Sequence, residues 1–263
     1  MTAPVTTARA DGVLIVRLAN AARRNAVDME MARALYQAVS GDLSDVGAIA
    51  LLADGDHFCV GGDVRAMAAA DDRPGFVREL AGELHRSMRV LQTAPPVVVG
   101  VRGWAAGAGM SLVCAGDVVV AGESASFQPA YPGIGVTPDG GMSWNLPRAI
   151  GERAARSLIL RNVAVTAARA RELGLVDEVV ADDAVETTVL DVAGTLACGP
   201  RAAQAAAKRL VLDSASRSYA EQLDAEADSI AFHAGTPDGV EGITAFVERR
   251  APRFAGSGRP SAR

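Results

Sequence analysis

The chain has 263 residues, of which 49% are hydrophobic and 22% charged, with a mean hydropathy of +0.17. That is enough apolar material for one large domain with a sizeable core, and it excludes a disordered chain. The net charge of −5 and the sequence pI near 5.3 leave no basic footprint for nucleic acid.

In chain order, Gly12 to Leu18 reads as a strand. Asp28 to Ser40 reads as an amphipathic helix, with Met31, Leu35 and Val39 spaced four apart. Ala48 to Leu52 is the next strand, and Phe76 to Leu91 a second amphipathic helix with Leu80, Leu84, Met88 and Leu91 on one stripe. Pro96 to Val101 and Asp117 to Ala121 are further β-branched strands. This alternation predicts an α/β fold whose strands are buried on both faces. After about residue 181 the strand signals stop. Asp183 to Ala197, Arg201 to Asp213, Tyr219 to Phe232 and Gly239 to Arg250 all have helical patterning. The last is preceded by Pro237-Asp238, and Glu241 stands three residues after Asp238, as in a capping box. The chain therefore divides into an α/β core over 1–181 and a helical module over 182–263, ending in a tail from Ala255 to Arg263 expected to fray.

The three cysteines, Cys59, Cys114 and Cys198, are too dispersed for a disulfide framework, and with His57, His85 and His233 they give no metal-ligand spacing. Met1 to Asp11 has no apolar core for a signal peptide. Gly103 to Gly116, the longest uncharged stretch, is too short and glycine-rich to cross a bilayer. These features predict a soluble, cytoplasmic protein with no metal and no membrane partner.

Three segments can carry chemistry. Asp56-His-Phe-Cys-Val-Gly-Gly-Asp-Val64 joins a strand to a helix through two glycines, which let backbone approach a ligand and leave N–H groups uncovered. Asp63 is placed to cap that helix; a plain strand–turn–helix junction explains the same residues. Val101 to Leu112 repeats the arrangement, and its glycines do not fit a dinucleotide fingerprint, because residue 112 is Leu where a third glycine belongs. Nor does Ser111 stand in a nucleophile elbow. A second set of bare amides suited to an anionic oxygen remains. Phe127 to Met142 contains one carboxylate, Asp139, among apolar residues and glycines. Asp139 is either an ordinary turn or capping residue or a proton shuttle raised in pKa by its apolar loop.

In this order and spacing the three segments resemble the enoyl-CoA hydratase/isomerase (crotonase) superfamily, over nearly the whole chain. Arg24-Asn-Ala26 resembles its early CoA-contacting turn, and Ala168 to Val176 and Glu241 to Arg250 resemble its later signatures. The resemblance implies a crotonase-like spiral of ββα units and a C-terminal helical module supporting a homotrimer or hexamer. It further implies an acyl-CoA thioester as substrate, with no cofactor beyond the CoA that the substrate carries. It implies an oxyanion hole made by the amides of Gly62 and Ala108. The substrate site would comprise Arg24, Ala26, Val60, Gly62, Asp63 and Val64 on one side, with Trp104, Gly107, Ala108, Ser111 and Tyr131 on the other.

One departure bears on the reaction. Hydratases of the family carry two glutamates at the positions held here by Ser111 and Tyr131, neither of which can serve as a carboxylate base at neutral pH. Asp139 aligns instead with an acid of isomerase-type members, similar to phenylacetate-pathway ring-epoxide isomerases and Δ3,Δ2-enoyl-CoA isomerases. An aligned aspartate is also the nucleophile of aryl-CoA dehalogenases. The resemblance thus implies a double-bond isomerase using Asp139. Hydration, another reaction of the family, or acyl-CoA binding without catalysis are the alternatives.

Overall fold

A computed structural model of the protein describes residues 3–255, so the predicted frayed tail, apart from Ala255, lies outside the described residues. The elements begin with β1 (Val5–Ala10), β2 (Val13–Leu18), α1 (Met29–Val39), β3 (Ala48–Ala53), α2 (Val64–Ala69) and α3 (Arg73–Thr93). They continue with β4 (Val97–Val101), β5 (Trp104–Ala106), α4 (Ala108–Cys114), β6 (Val118–Gly122) and β7 (Ser126–Gln128). Next come α5 (Met142–Ile150), α6 (Glu152–Arg161), β8 (Val165–Thr166), α7 (Ala167–Leu173) and β9 (Glu178–Val180). The chain closes with α8 (Val185–Ala197), α9 (Arg201–Asp213), α10 (Tyr219–Ala234) and α11 (Pro237–Glu248).

The strands form a six-stranded sheet in the order β1-β2-β3-β4-β6-β9 and a three-stranded sheet in the order β5-β7-β8. Only the β1–β2 pair of the larger sheet is antiparallel; its other neighbours run parallel, with Leu14 beside Ile49 and Ile49 beside Val97. Strands β4 and β5 lead into α4, and β6 and β7 into the next helical segment, so successive turns of a ββα spiral feed both sheets. The α/β class and spiral architecture are those expected.

Both faces of the larger sheet are apolar, for the reason its sequence suggests: residues alternate between two covered sides. Leu14, Val16, Ile49, Leu51, Val97 and Val99 face the main core with α1, α3 and α4. Val13, Ala48, Ala50, Leu52, Val98 and Val120 face a second cluster closed by Val185, Val189, Ala193 and Ala197 of α8. Helix α8 is therefore a layer of the α/β core, although the sequence boundary at residue 181 assigns it to the helical module. Lys208 of α9 reaches back to the Asp117 carboxylate at 2.6 Å and the Leu91 carbonyl at 2.9 Å, tying the module to the sheet.

One local expectation is corrected. The capping box stands at α10, where Ser218 accepts the Glu221 N–H and Glu221 accepts the Ser218 N–H at 2.7 Å. Helix α11 is capped by Thr236 instead, through the Gly239 N–H at 3.1 Å. Glu241 is drawn away by the Arg250 guanidinium, with contacts of 2.6 and 2.8 Å, and by the Arg253 N–H at 2.7 Å.

Candidate active site

The two glycine-rich segments meet. Cys59 donates its N–H to the Trp104 carbonyl at 3.0 Å, and its carbonyl accepts from the Ala106 N–H at 2.9 Å, so the segment entering Gly61-Gly62 runs parallel to β5. Gly61 and Gly107 both have positive φ, +104° and +51°. A Cβ at Gly61 would stand 3.2 Å from the Ala106 carbonyl oxygen, and one at Gly109 only 2.2 Å from that of Cys59. These close approaches explain why both turns need glycine. They leave the N–H groups of Gly62 and Ala108 without a backbone acceptor among the described residues, both on the wall of one cavity.

The first segment is held by Asn25, fully buried beside it. Its side-chain oxygen accepts from the Asn20 N–H at 2.8 Å, and its amide donates to the carbonyls of Asp54 and His57 at 2.9 Å each. Asp63 caps α2 through the N–H groups of Arg65 and Ala66 at 3.2 Å and pairs with Arg23. Its carboxylate is therefore committed to structure.

The cavity measures about 920 Å³ and is mostly apolar, lined by Met67, Val77, Leu80, Leu84, Ile134 and Val136 among others. Asp139 is the one carboxylate on that wall among the described residues. It does not cap α5, whose N-cap is Gly141. Instead its Oδ1 accepts the Tyr131 hydroxyl proton at 2.6 Å, and the Tyr131 oxygen lies 2.9 Å from the Ser111 hydroxyl. Burial and the adjacent Asp139 charge push the Tyr131 phenol well above its usual range, so it remains a proton donor.

Val60, Gly62, Val64, Gly107, Ala108, Tyr131 and Asp139 all line the cavity, whereas Ala26, Asp63, Trp104 and Ser111 do not. Ser111 is fully buried behind Tyr131, and Trp104 is exposed at the start of β5. Arg24 is exposed, and its carbonyl receives the Val60 N–H at 3.3 Å, which puts it next to the first segment while its guanidinium extends into solvent. Sequence reasoning missed three groups. Asn25 was read only as part of a turn. His85 and Arg78, both on α3, line the cavity, and His85 Nε2 accepts the Gly140 N–H at 3.0 Å beside Asp139. Their signal was polarity next to the apolar stripe of Leu80 and Leu84.

Among the described residues no group of three or more His, Cys, Asp or Glu could hold a metal ion, and no helix is long and apolar enough to cross a membrane. Cys59, Cys114 and Cys198 are free, and burial pushes the thiols of Cys59 and Cys114 up to about 12.

Comparison with known proteins gives a consistent result. The family model described as enoyl-CoA hydratase/isomerase matches residues 8–257. A protein of Rhodobacter capsulatus named "Probable enoyl-CoA hydratase" is 34% identical over 247 residues, spanning 94% of this chain and 95% of its own. The 1,2-epoxyphenylacetyl-CoA isomerase of Escherichia coli is 31% identical over 252 residues, spanning 93% and 95%. The crystal structure of an enoyl-CoA hydratase from Polaromonas sp. JS666 superposes with a TM-score of 0.90 at 31% identity, covering 95% of this chain and 99% of that one.

Proposed function

Because the chain belongs to the enoyl-CoA hydratase/isomerase family, we propose that it is an acyl-CoA isomerase that moves a double bond of a 3-enoyl- or ring-unsaturated thioester into conjugation. The observation that carries this reading is the single carboxylate, Asp139, on the wall of an apolar cavity that also presents the Gly62 and Ala108 amides. One base suffices. The Asp139 carboxylate takes a proton from C2, and the C–H electron pair passes into the thioester oxygen as an enolate. Two backbone donors stabilise that oxygen, each worth about 3–4 kcal/mol if typical of oxyanion holes. Asp139 then returns the proton at C4, the double bond moves to C2–C3, and the thioester carbonyl re-forms. Atoms and charge balance without a redox cofactor or metal, so CoA carried by the substrate is the only such group required. The apolar wall keeps bulk water from the enolate. The free cysteines agree with a reducing, cytoplasmic setting.

Hydration is the second reading, favoured by the name of the Rhodobacter relative. Hydration in the family uses two glutamates, and their positions hold Ser111, which is buried, and Tyr131, which already donates to Asp139, leaving Asp139 as the one carboxylate on the cavity wall among the described residues. A panel of 2-enoyl-, 3-enoyl- and aryl-CoA esters followed by absorbance separates the readings. The proposal expects turnover of a 3-enoyl- or ring-unsaturated ester, and hydration of crotonyl-CoA well below roughly 10 per second. Faster hydration would favour the hydratase, and no turnover of any ester would favour a binding protein.

A further inference from the structure

We propose that Tyr131 is a positioning residue for Asp139: its hydroxyl pins Oδ1, so that Oδ2 is the oxygen that takes and returns the substrate proton. The inference rests on the isomerase reading and adds to it a group that never touches the migrating proton. Tyr131 is 8% exposed, and its hydroxyl lies 2.6 Å from Asp139 Oδ1. A phenol has one proton to give. Once that proton is spent on Asp139, the Tyr131 oxygen can only accept from the Ser111 hydroxyl 2.9 Å away, which shares its one proton between that oxygen and the Asp139 carbonyl, also at 2.9 Å, so a chain runs from Ser111 through Tyr131 to the carboxylate. Such chains polarise one another where the surroundings are dry.

The main chain of Asp139 is gripped by the same residues. The Asp139 carbonyl, which shares the Ser111 proton with the Tyr131 oxygen, also accepts the Met142 N–H at 3.1 Å. Gly140, at φ +58°, passes so close over Ser111 that a Cβ there would meet the Ser111 Cβ at 2.7 Å. The carboxylate thus has one oxygen committed within the protein and one left for the substrate. A proton taken on Oδ2 leaves the Tyr131 bond to Oδ1 intact, so neither half of the transfer requires the loop to rearrange. Without Tyr131 the carboxyl group could rotate, and either oxygen could turn from the reacting carbon.

The other ionisable groups on the cavity are His85 and Arg78, both on α3, and His85 reaches the loop through the Gly140 N–H at 3.0 Å. A pH profile must therefore be compared between variants that keep both. The test is kcat, KM and the pH profile of kcat on a 3-enoyl-CoA for Tyr131→Phe, Ser111→Ala, the double variant and Asp139→Asn. Tyr131→Phe keeps the ring and should lower kcat about 10–100-fold with KM within about twofold, the scale of a misaligned reacting group. The pH profile of kcat should change with it, because the Tyr131 hydrogen bond to the reacting carboxylate is gone. Ser111→Ala should lower kcat less, and the double variant should be no slower than Tyr131→Phe. If Tyr131→Phe matches wild type in kcat and pH profile while Asp139→Asn is inactive, the positioning role is overturned and the isomerase reading stands. If Asp139→Asn is as active as wild type, the isomerase reading falls and this inference with it. Should Tyr131→Phe fail to fold, Ser111→Ala decides: an unchanged kcat and pH profile would overturn the proposal.

Discussion

Asp139 shows how far a single residue can be read from sequence. Its loop supports a turn, a cap or a base, and the fold removes the cap: Gly141 stands at the N-cap of α5, and the Asp139 side chain reaches Tyr131 on the cavity wall. Beside that loop residue stand Tyr131 of the same segment and Ser111 of α4, which sequence comparison could mark only as replacements for two glutamates. Ser111 bonds Tyr131 across 20 positions and Asp139 across 28, and Tyr131 bonds Asp139 across 8, and no local pattern encodes such pairs. Arg24 is the converse case. Its placement beside Val60 leaves the guanidinium in solvent, where a CoA phosphate could reach it. Calorimetry with a saturated acyl-CoA should show Arg24→Ala weakening binding about fivefold, the ~1 kcal/mol of a solvent-exposed ion pair. Unchanged affinity would remove Arg24 from the site.

Among the elements, the central ones were legible because their apolar period is strong: β2, β3, β4 and β6 and helices α1, α3 and α9 occur within a few residues of their predicted bounds. The short strands β5, β7 and β8 were not, since runs of two or three residues carry no period of their own. Yet β5 sets the site, because it brings Gly107 against Gly61 and delivers the Ala108 amide. Gly109 on α4 makes that junction possible, with room for no side chain beside Cys59. Gly109→Val should push α4 from the first segment and spoil the hole. The expected loss is about 10²–10³ in kcat on a 3-enoyl-CoA, as for removal of one oxyanion donor. Wild-type kcat in a folded Gly109→Val protein would show that the close approach is dispensable.

At the scale of the whole molecule, α9 to α11 carry apolar surface that the other described residues do not cover. Ile230 is 73% exposed, Phe232 70%, Phe246 84% and Val247 75%. Isolated apolar side chains are ordinary on a surface, but this many on consecutive helices call for a covering partner. We propose that other copies of the chain cover them in a closed trimer or a dimer of trimers. Light scattering at micromolar concentration should give the mass of three or six chains of 27.0 kDa. A monomeric mass would end that assignment. The sequence marked these helices as a module, but it placed α8 with them. Their shared helical period conceals that the apolar stripe of α8 is taken up by the larger sheet.

The central claim is that one carboxylate carries the proton. Asp139→Asn keeps the shape of the side chain and removes the base. On a 3-enoyl-CoA that the wild type isomerises, kcat should fall by roughly 10²–10⁴ while acyl-CoA affinity by calorimetry stays nearly unchanged. An Asp139→Asn protein that isomerises the same ester as fast as the wild type would contradict the account, and would make Asp139 a turn residue only.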